Sequence, residues 1–458
     1  DVYVVNTCTV TNIADRKSRQ MLHKARKMNE AAVVIAVGCY VQTAGEVLEQ
    51  DKAIDIVIGN NKKKDIIRIL NEYYESNSKN INEKNMLKAQ AAKIPVEPET
   101  DISYNIAQSI GYNMRDNIID IGLETEYEDL NIESIAEKTR AYIKIQDGCN
   151  QFCSYCIIPY ARGRARSRKE ESIIAEVLKL VSKGYKEIVL TGIHLSSYGF
   201  DFKKNNIEEL PAYETHGTGK LQSGHMENRE NHLLQLIIKL SQIERLKRIR
   251  LGSLEPRIIT EEFAKTLSDN TKLCPHFHLS LQSGCDGTLK RMNRKYSSQE
   301  YYEKCILLRK YFRNPAITTD VIVGFPGETD EEFDETNQFL RKISFAQMHI
   351  FKYSVRKGTK AGHMPDQIME EVKTERSNIL IDLESQMEKE YRAGFLNETE
   401  NILIEEYMNI NGENYQVGHN ERYLKLAVKS NKNLNNQIIQ GKITGYLNKE
   451  IMFCEIMD

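Results

Sequence analysis

The chain has no surplus of charge, since 63 Lys and Arg stand against 65 Asp and Glu in 458 residues. Without a global field, any surface for nucleic acid has to be a local patch. The sequence also lacks an apolar run approaching the ~18 residues of a membrane span, and it lacks the apolar leader of a secreted protein. Its nine cysteines fall at irregular spacings, so a reducing, cytoplasmic setting is expected and a membrane partner is not. No Ser-His-Asp set and no paired carboxylates stand out, which removes the usual signatures of acid–base hydrolysis. An initiator methionine is missing too: Asp1 opens directly in the strand-like run DVYVVNTC, as expected where a first segment precedes it. The length suits a large core with satellites, in two to three domains.

What is present centres on AYIKIQDGCNQFCSYCIIPYARGRARSR, residues 141–168. An apolar run breaks at Gly148 into Cys149, Cys153 and Cys156, spaced C-x3-C-x2-C, and a ladder of arginines at 162, 164, 166 and 168 follows. A structural zinc site wants four ligands in closed geometry, whereas a four-iron cluster held by three thiolates keeps one iron open for a ligand. A partial zinc site and a disulfide-prone loop remain the bland alternatives. GCNQFCSYC, with Tyr155 before the third cysteine, resembles the signature of the radical S-adenosylmethionine superfamily. That resemblance implies an open iron that chelates S-adenosylmethionine and cleaves it to methionine and a 5′-deoxyadenosyl radical.

Residues 1–75 alternate apolar runs (DVYVVN, AAVVIAVG, AIDIVIG) with helical stretches (ADRKSRQMLHKARKM, AGEVLEQ, KKDIIRILNEYY). This βαβαβα pattern predicts an α/β domain with a doubly wound parallel sheet. Cys8 and Cys39 each fall just past a predicted strand, where such sheets bind ligands; singly they read as buried thiols, and as a pair they become candidate ligands. Residues 76–137 are polar and read as a linker in which only pieces such as NIIDIGL order. Residues 138–393 show six βα units, which predicts a partial (β/α)6 barrel with its site at the C-terminal strand ends. The loops there carry Thr191-Gly192, Gly252-Ser253-Leu254-Glu255-Pro256, Gln282-Ser283-Gly284 and Gly324-Phe325-Pro326-Gly327-Glu328. A second polar insert, 201–231, holds His216 and His225, with His232 just beyond; their irregular spacing reads as a surface loop. Residues 394–458 have short β-type runs and read as a small β-barrel, whose lysines 425, 429, 432, 442 and 449 are either phosphate contacts or a solvated face.

Taken together, VNTCTVTNIADRKSRQ, VGCYVQ, the cysteine stretch, RIRLGSLEP, HLSLQSGCDGTLKRMNR, TDVIVGFPGET and FKYSVRKGTKAGHMP resemble the methylthiotransferases. NTCTVT favours the branch acting on N6-threonylcarbamoyladenosine in tRNA over the isopentenyladenosine branch. The resemblance implies two 4Fe-4S clusters. Cys149, Cys153 and Cys156 would hold the radical cluster; Cys8 and Cys39 match two of three ligands of the other, whose first ligand belongs upstream, so that cluster is incomplete as the chain stands. It further implies Tyr155 beside the adenine of S-adenosylmethionine, Thr191 and Gly192 near its methionine end, and Ser253, Glu255 and Gln282 around its amino acid and ribose. Ile322 and Gly324 match the adenine-side strand, and the terminal barrel matches the TRAM type that grips tRNA.

In the implied reaction one S-adenosylmethionine methylates a sulfur on the second cluster. Another yields the radical that abstracts hydrogen from C2 of an adenine beside the anticodon, and the methylthio group joins that carbon. Such a C–H offers no acid or base handle, consistent with the missing hydrolytic sets. The partners implied are a tRNA anticodon stem-loop, whose unpaired base can be splayed out, an electron donor such as flavodoxin or ferredoxin, and a sulfur donor. The arginines at 162, 164, 166 and 168, projecting to one side if extended, would contact its phosphates; a solvated charge run is the alternative. An iron-sulfur protein that binds tRNA without completing sulfur insertion, and a zinc-binding RNA module, are the competing classes.

Overall fold

The computed structural model describes residues 1–76, 114–130, 139–202 and 231–457. Much of both polar inserts, with His216 and His225, lies outside the described residues. Contacts divide the chain into two units: Asp1–Leu130 with Cys156–Arg164 and Ser354–Gly358, and Asn131–Tyr155 with Ala165–Tyr353 and Thr359–Asp458.

In the first unit, strands β1 (Val2–Thr7), β2 (Val33–Gly38) and β3 (Ile56–Ile58) pair in that order, all parallel. All six residues of β2, VVIAVG, are buried, as a continuous apolar run between two partner strands requires. Helix α1 (Asn12–Met28) starts where the Thr11 hydroxyl accepts from the Ala14 N–H at 3.1 Å, and it carries Arg26 and Lys27 in its last turn, against the carbonyl end of its dipole. Leu22 and Ala25 of α1 and Val41 and Leu48 of α2 (Cys39–Glu49) cover one face of the sheet. Ile69, from a helix α3 over 66–76, covers the other, so the sheet is wound on both sides as expected.

Helix α2 begins at Cys39, earlier than the pattern AGEVLEQ suggests, because a non-helical Ala44 (φ −132°) splits it in two and masks the period of its first half. The far end of the expected linker packs against this unit as well. The Gly59 N–H donates to Asn117 O at 2.9 Å and Gln42 Nε2 to Ile119 O at 2.8 Å, while Ile121 is buried. The spaced Ile118 and Ile121 supply the apolar anchor that the flanking polar residues obscure. Helix α4 (Ile158–Arg162) completes this unit, its Ala161 carbonyl accepting from Asn60 Nδ2 at 2.7 Å.

In the second unit, β4 (Arg140–Asp147) pairs parallel with β6 (Glu187–Gly192) and β6 with β7 (Arg248–Leu251), while a short antiparallel β5 (Arg166–Ser167) edges β4. Strands β8 (His276–His278), β9 (Ala316–Val323) and β10 (Gln347–Lys352) form a parallel set, and single bridges Ile249 to Leu273 and Leu254 to Leu279 join it to β7. Six parallel strands thus form the partial barrel. Around them run α5 (Glu170–Ser182), α6 (His232–Ser241), α7 (Glu261–Ser268), α8 (Asp286–Arg291), α9 (Ser298–Tyr311), α10 (Asp330–Ile343) and α11 (Glu370–Ala393). Helices α9 and α10 each open with a capping box, Ser297 with Glu300 and Thr329 with Glu332. Their inward faces join one large core with Ile143, Leu190, Ile249, Phe277 and Val321 of the strands.

The same unit ends in a closed five-stranded barrel, β11 (Thr399–Ile410), β12 (Glu413–His419), β13 (Lys425–Val428), β15 (Met452–Ile456) and β14 (Ile438–Tyr446), in that spatial order.

Candidate functional site

The cysteine loop leaves β4 through Gly148, whose φ of +69° is a left-handed conformation that favours glycine. Side chains from the neighbouring strand ends pin it from several directions. Gln146 Nε2 donates to the carbonyls of Asp147 and Gly148, both at 2.8 Å, and its Oε1 accepts the His194 N–H at 2.7 Å. Asn293 Nδ2 donates to Phe152 O at 2.8 Å, the Ser154 N–H to Met292 O at 3.0 Å and Ser154 Oγ to Arg291 O at 2.8 Å. The loop is therefore held against the turn that follows α8, and two of its thiols are positioned by that turn and by the ends of β4 and β6.

Arg294 Nη1 donates to Cys153 Sγ at 3.2 Å, Nη2 to Ser280 O at 3.2 Å and Nε to Tyr296 Oη at 2.9 Å. Burial opposes the charge of this guanidinium, yet the facing Tyr296, Tyr155 and Cys153 hold its pKa well above the usual value. Burial pushes the Cys149 thiol up to about 11, with Cys153 and Glu255 adding to the rise and the Gln151 N–H, 3.5 Å from its sulfur, opposing it. That thiol ionises when a cation takes its proton's place, as metal binding requires. None of the three cysteines is in a disulfide, and Cys156 follows Tyr155 directly in the chain.

Other expected residues gather at the same strand ends. Tyr155 and Ile322 share one apolar cluster with Met292, Phe325, Tyr353 and Ala361, Tyr155 meeting Phe325 edge-on at 6.4 Å. Gly192 lies where a Cβ would meet Gln146 Cβ and Oε1 at 3.0 Å, and Thr191 Oγ1 donates to Ile143 O at 3.1 Å. Glu255 is buried and paired with Arg257 at 2.6 Å, while Ser253 stands exposed beside it. Gln282 adopts φ +74° and continues the pairing beyond β8: its N–H donates to Asp320 O and its carbonyl accepts from the Ile322 N–H. Gly324 takes φ +69°, its N–H donating to Glu328 Oε2 at 2.6 Å.

In the first unit, Cys8 and Cys39 follow Thr7 and Gly38, which are register partners across β1 and β2. Adjacent parallel strands lie roughly 4.8 Å apart, so the two thiols issue from neighbouring strand ends. Cys8 is exposed and Cys39 buried, with Asn60 Nδ2 3.6 Å from its sulfur. Gly38 permits this closeness, because at its φ of +105° a Cβ would stand 2.7 Å from Thr7 O.

The arginine ladder does not form. Arg162 closes α4 and Arg164 is half-buried, but Arg166 and Arg168 are 1% and 3% exposed. Arg168 makes a buried ion pair with Glu176 and donates to Ser172 Oγ at 3.2 Å. The chain turns inward at β5 to pair with β4, which places the side chains of the two later arginines in the interior instead of along one exposed face.

A family model described as the Radical SAM superfamily matches residues 143–340, and one described as Uncharacterized protein family UPF0004 matches residues 1–59. The threonylcarbamoyladenosine tRNA methylthiotransferase MtaB of Bacillus subtilis is 36% identical over 461 residues, covering 100% of this chain and 89% of that protein. Its namesake in Aquifex aeolicus is 36% identical over 434 residues, 93% of this chain and 90% of that protein. The chain belongs to the radical S-adenosylmethionine tRNA methylthiotransferases. A tRNA-2-methylthio-N(6)-dimethylallyladenosine synthase of Clostridium botulinum is 30% identical over 411 residues, 88% of this chain and 78% of that protein. The fold is also similar to that of a solved radical S-adenosylmethionine methyltransferase, TsrM, from Kitasatospora setae, with TM-score 0.53 and 14% identity over 79% of this chain and 63% of that one.

Membership implies a 4Fe-4S cluster and S-adenosylmethionine, and the residues present fit both. Thiols outside any disulfide follow the first barrel strand, with N–H donors from Gln151 and Arg294 aimed at two of the sulfurs. His194, at the end of β6, has a buried Nε2 with no hydrogen-bond partner; burial, Arg294 and Arg257 push its pKa down to about 3, so its ring is neutral. Arg294, Gln146, His194 and Asn293 escaped the sequence reading. Asn293 and Arg294 end the motif HLSLQSGCDGTLKRMNR, whose last residues carry no role in the resemblance, and Gln146 sits within a strand. Only the fold brings them to the cysteine loop.

Proposed function

We propose that this chain adds a methylthio group to C2 of N6-threonylcarbamoyladenosine beside the tRNA anticodon. The similarity to the relatives named for that substrate carries the reading: 36% identity extends over the whole chain, against 30% over 88% of it for the dimethylallyladenosine synthase. Cys149, Cys153 and Cys156 hold the radical cluster. Bound there, the cluster and S-adenosylmethionine supply the one-electron chemistry that an aromatic C–H requires. Arg294 lends positive charge to Cys153. Tyr155 and Ile322 offer an apolar wall for the adenine of the cofactor, while Gln146 and Asn293 fix the loop that bears the thiols.

Cys8 and Cys39 hold the second cluster with a third ligand, a reading supported by their adjacent strand ends. Arg162 and Arg164 contact the anticodon stem-loop, and the terminal barrel grips the tRNA. A flavodoxin or ferredoxin supplies electrons and a separate donor supplies sulfur in the cytoplasm. No described helix is long and apolar enough to cross a membrane.

Anaerobic turnover on two synthetic anticodon stem-loops, one with threonylcarbamoyladenosine and one with isopentenyladenosine, tests the substrate. A 2-methylthio product on the first is expected. A product confined to the second would overturn the assignment, and binding without product on either would favour an iron-sulfur tRNA-binding protein.

A further inference from the structure

Strands β8, β9 and β10 alternate in the direction of their side chains. Phe277, Val321 and Met348 join the core beneath the helices, so His278, Asp320 and His349 occupy the opposite, inner face. Asp320 is the register partner of His349, and Thr318, two residues earlier on the same face of β9, is the partner of His278. The two imidazoles stack at 5.9 Å, and each addresses one oxygen of the same carboxylate: His278 Nε2 lies 3.3 Å from Asp320 Oδ2 and His349 Nδ1 3.1 Å from Asp320 Oδ1.

We infer that His278, Asp320 and His349 form a divalent-cation site on the inner wall of the partial barrel. One potential ligand atom from each residue lies within 4.8 Å of the others. Ligands held at roughly 2.1 Å from one octahedral ion stand about 3 Å apart, so small ring rotations suffice to admit an ion. Two imidazoles and one carboxylate suit manganese, ferrous iron, cobalt or zinc in preference to calcium or magnesium.

A second observation concerns the other nitrogen of His278. Its Nδ1 lies 3.0 Å from Thr318 Oγ1, the arrangement by which an outer partner fixes the tautomer of a metal-bound histidine. With the Nδ1 proton directed to Thr318, the His278 Nε2 lone pair faces the Asp320 carboxylate, an arrangement that a cation between the two satisfies. Asp320 is half-buried and His349 exposed, which leaves coordination positions open toward the barrel interior. Ile322, of the Tyr155 cluster, follows Asp320 on the same face, about 7 Å along the strand. An ion here would present its open positions to an oxygen donor, water or a carboxylate, close to the expected cofactor chamber.

Titration of the full-length protein with Mn(II), with the free ion followed by its EPR signal, tests the site without relying on activity or on the tRNA assignment. About one Mn(II) per chain is expected, weakened at least about tenfold by His349→Ala and by Asp320→Asn, and retained by a variant with Cys149, Cys153 and Cys156 all changed to Ala. His349 is exposed, so its replacement leaves the fold intact and decides the question if Asp320→Asn misfolds. Absence of stoichiometric binding, unchanged affinity in His349→Ala, or loss confined to the cysteine variant would overturn the inference.

Discussion

Single side chains with similar sequence contexts meet different fates here. Arg164 and Arg168 belong to one run of alternating arginines, yet the former is half-buried and the latter buried. Replacing Arg168 by Ala strands the buried Glu176 carboxylate, and chemical denaturation should show a loss of about 3–5 kcal/mol. Replacing Arg164 should leave stability within about 0.5 kcal/mol and lower the slope of log Kd for tRNA against log salt by roughly one phosphate's worth; an unchanged slope would remove it from the RNA surface. The three cysteines stand out by their spacing because a metal-binding loop is local in sequence, and Tyr155 enters through the family resemblance of GCNQFCSYC. Arg294 shows in neither way, since its bond to Cys153 spans 141 positions and no local pattern distinguishes a basic residue that turns inward.

At the scale of elements, the apolar runs and amphipathic periods located the six barrel strands and most of their helices within a few residues. What escaped were short or interrupted pieces. Helix α4 spans five residues and α8 six, too few to show a period. Helix α11 begins only at Glu370, after the extended Met369 that caps it. Strand β12 is joined to β11 through Asn411-Gly412, at φ +53° and +85°, the left-handed pair of a tight hairpin turn. The loop after β9 was legible as glycine-rich, and its geometry gives that a cost. Gly324→Ala would force an alanine into φ +69° with its Cβ 2.3 Å from Lys373 Cγ. A loss of about 1–3 kcal/mol in thermal or urea unfolding is expected, and a neutral result would show that Lys373 and the loop both relax.

Across the whole second unit, a charged core joins the partial barrel to the terminal one. Arg140, Arg248 and Arg250 surround the buried Glu187. Arg140 donates to Tyr423 Oη at 2.9 Å, and Arg248 to the carbonyls of His419 and Asn401 at 3.0 and 2.8 Å. Arg248 and Arg250 alternate in RIRLGSLEP, where nothing local marks them as contacts to another domain. His276 lies in the same core, its ring 5.5 Å from that of Tyr423. Burial, then the facing Arg250, His278, Arg140 and His419, push its pKa well below the usual value. The folded chain thus refuses a proton that the unfolded chain accepts below about pH 6.5. Stability should fall by up to about 1.4 kcal/mol per pH unit on acidification from there, and His276→Gln should flatten that dependence in urea titrations at pH 7.5, 6 and 5.

The central claim is that the loop after the first barrel strand holds the cluster that opens S-adenosylmethionine. Anaerobic reconstitution, reduction and chromatography of the cofactor products test it without any tRNA. Wild-type protein should release 5′-deoxyadenosine and methionine, Cys8→Ala should do the same, and Cys153→Ala should release neither. Cleavage that survives in Cys153→Ala, or that is lost in Cys8→Ala alone, would contradict the assignment.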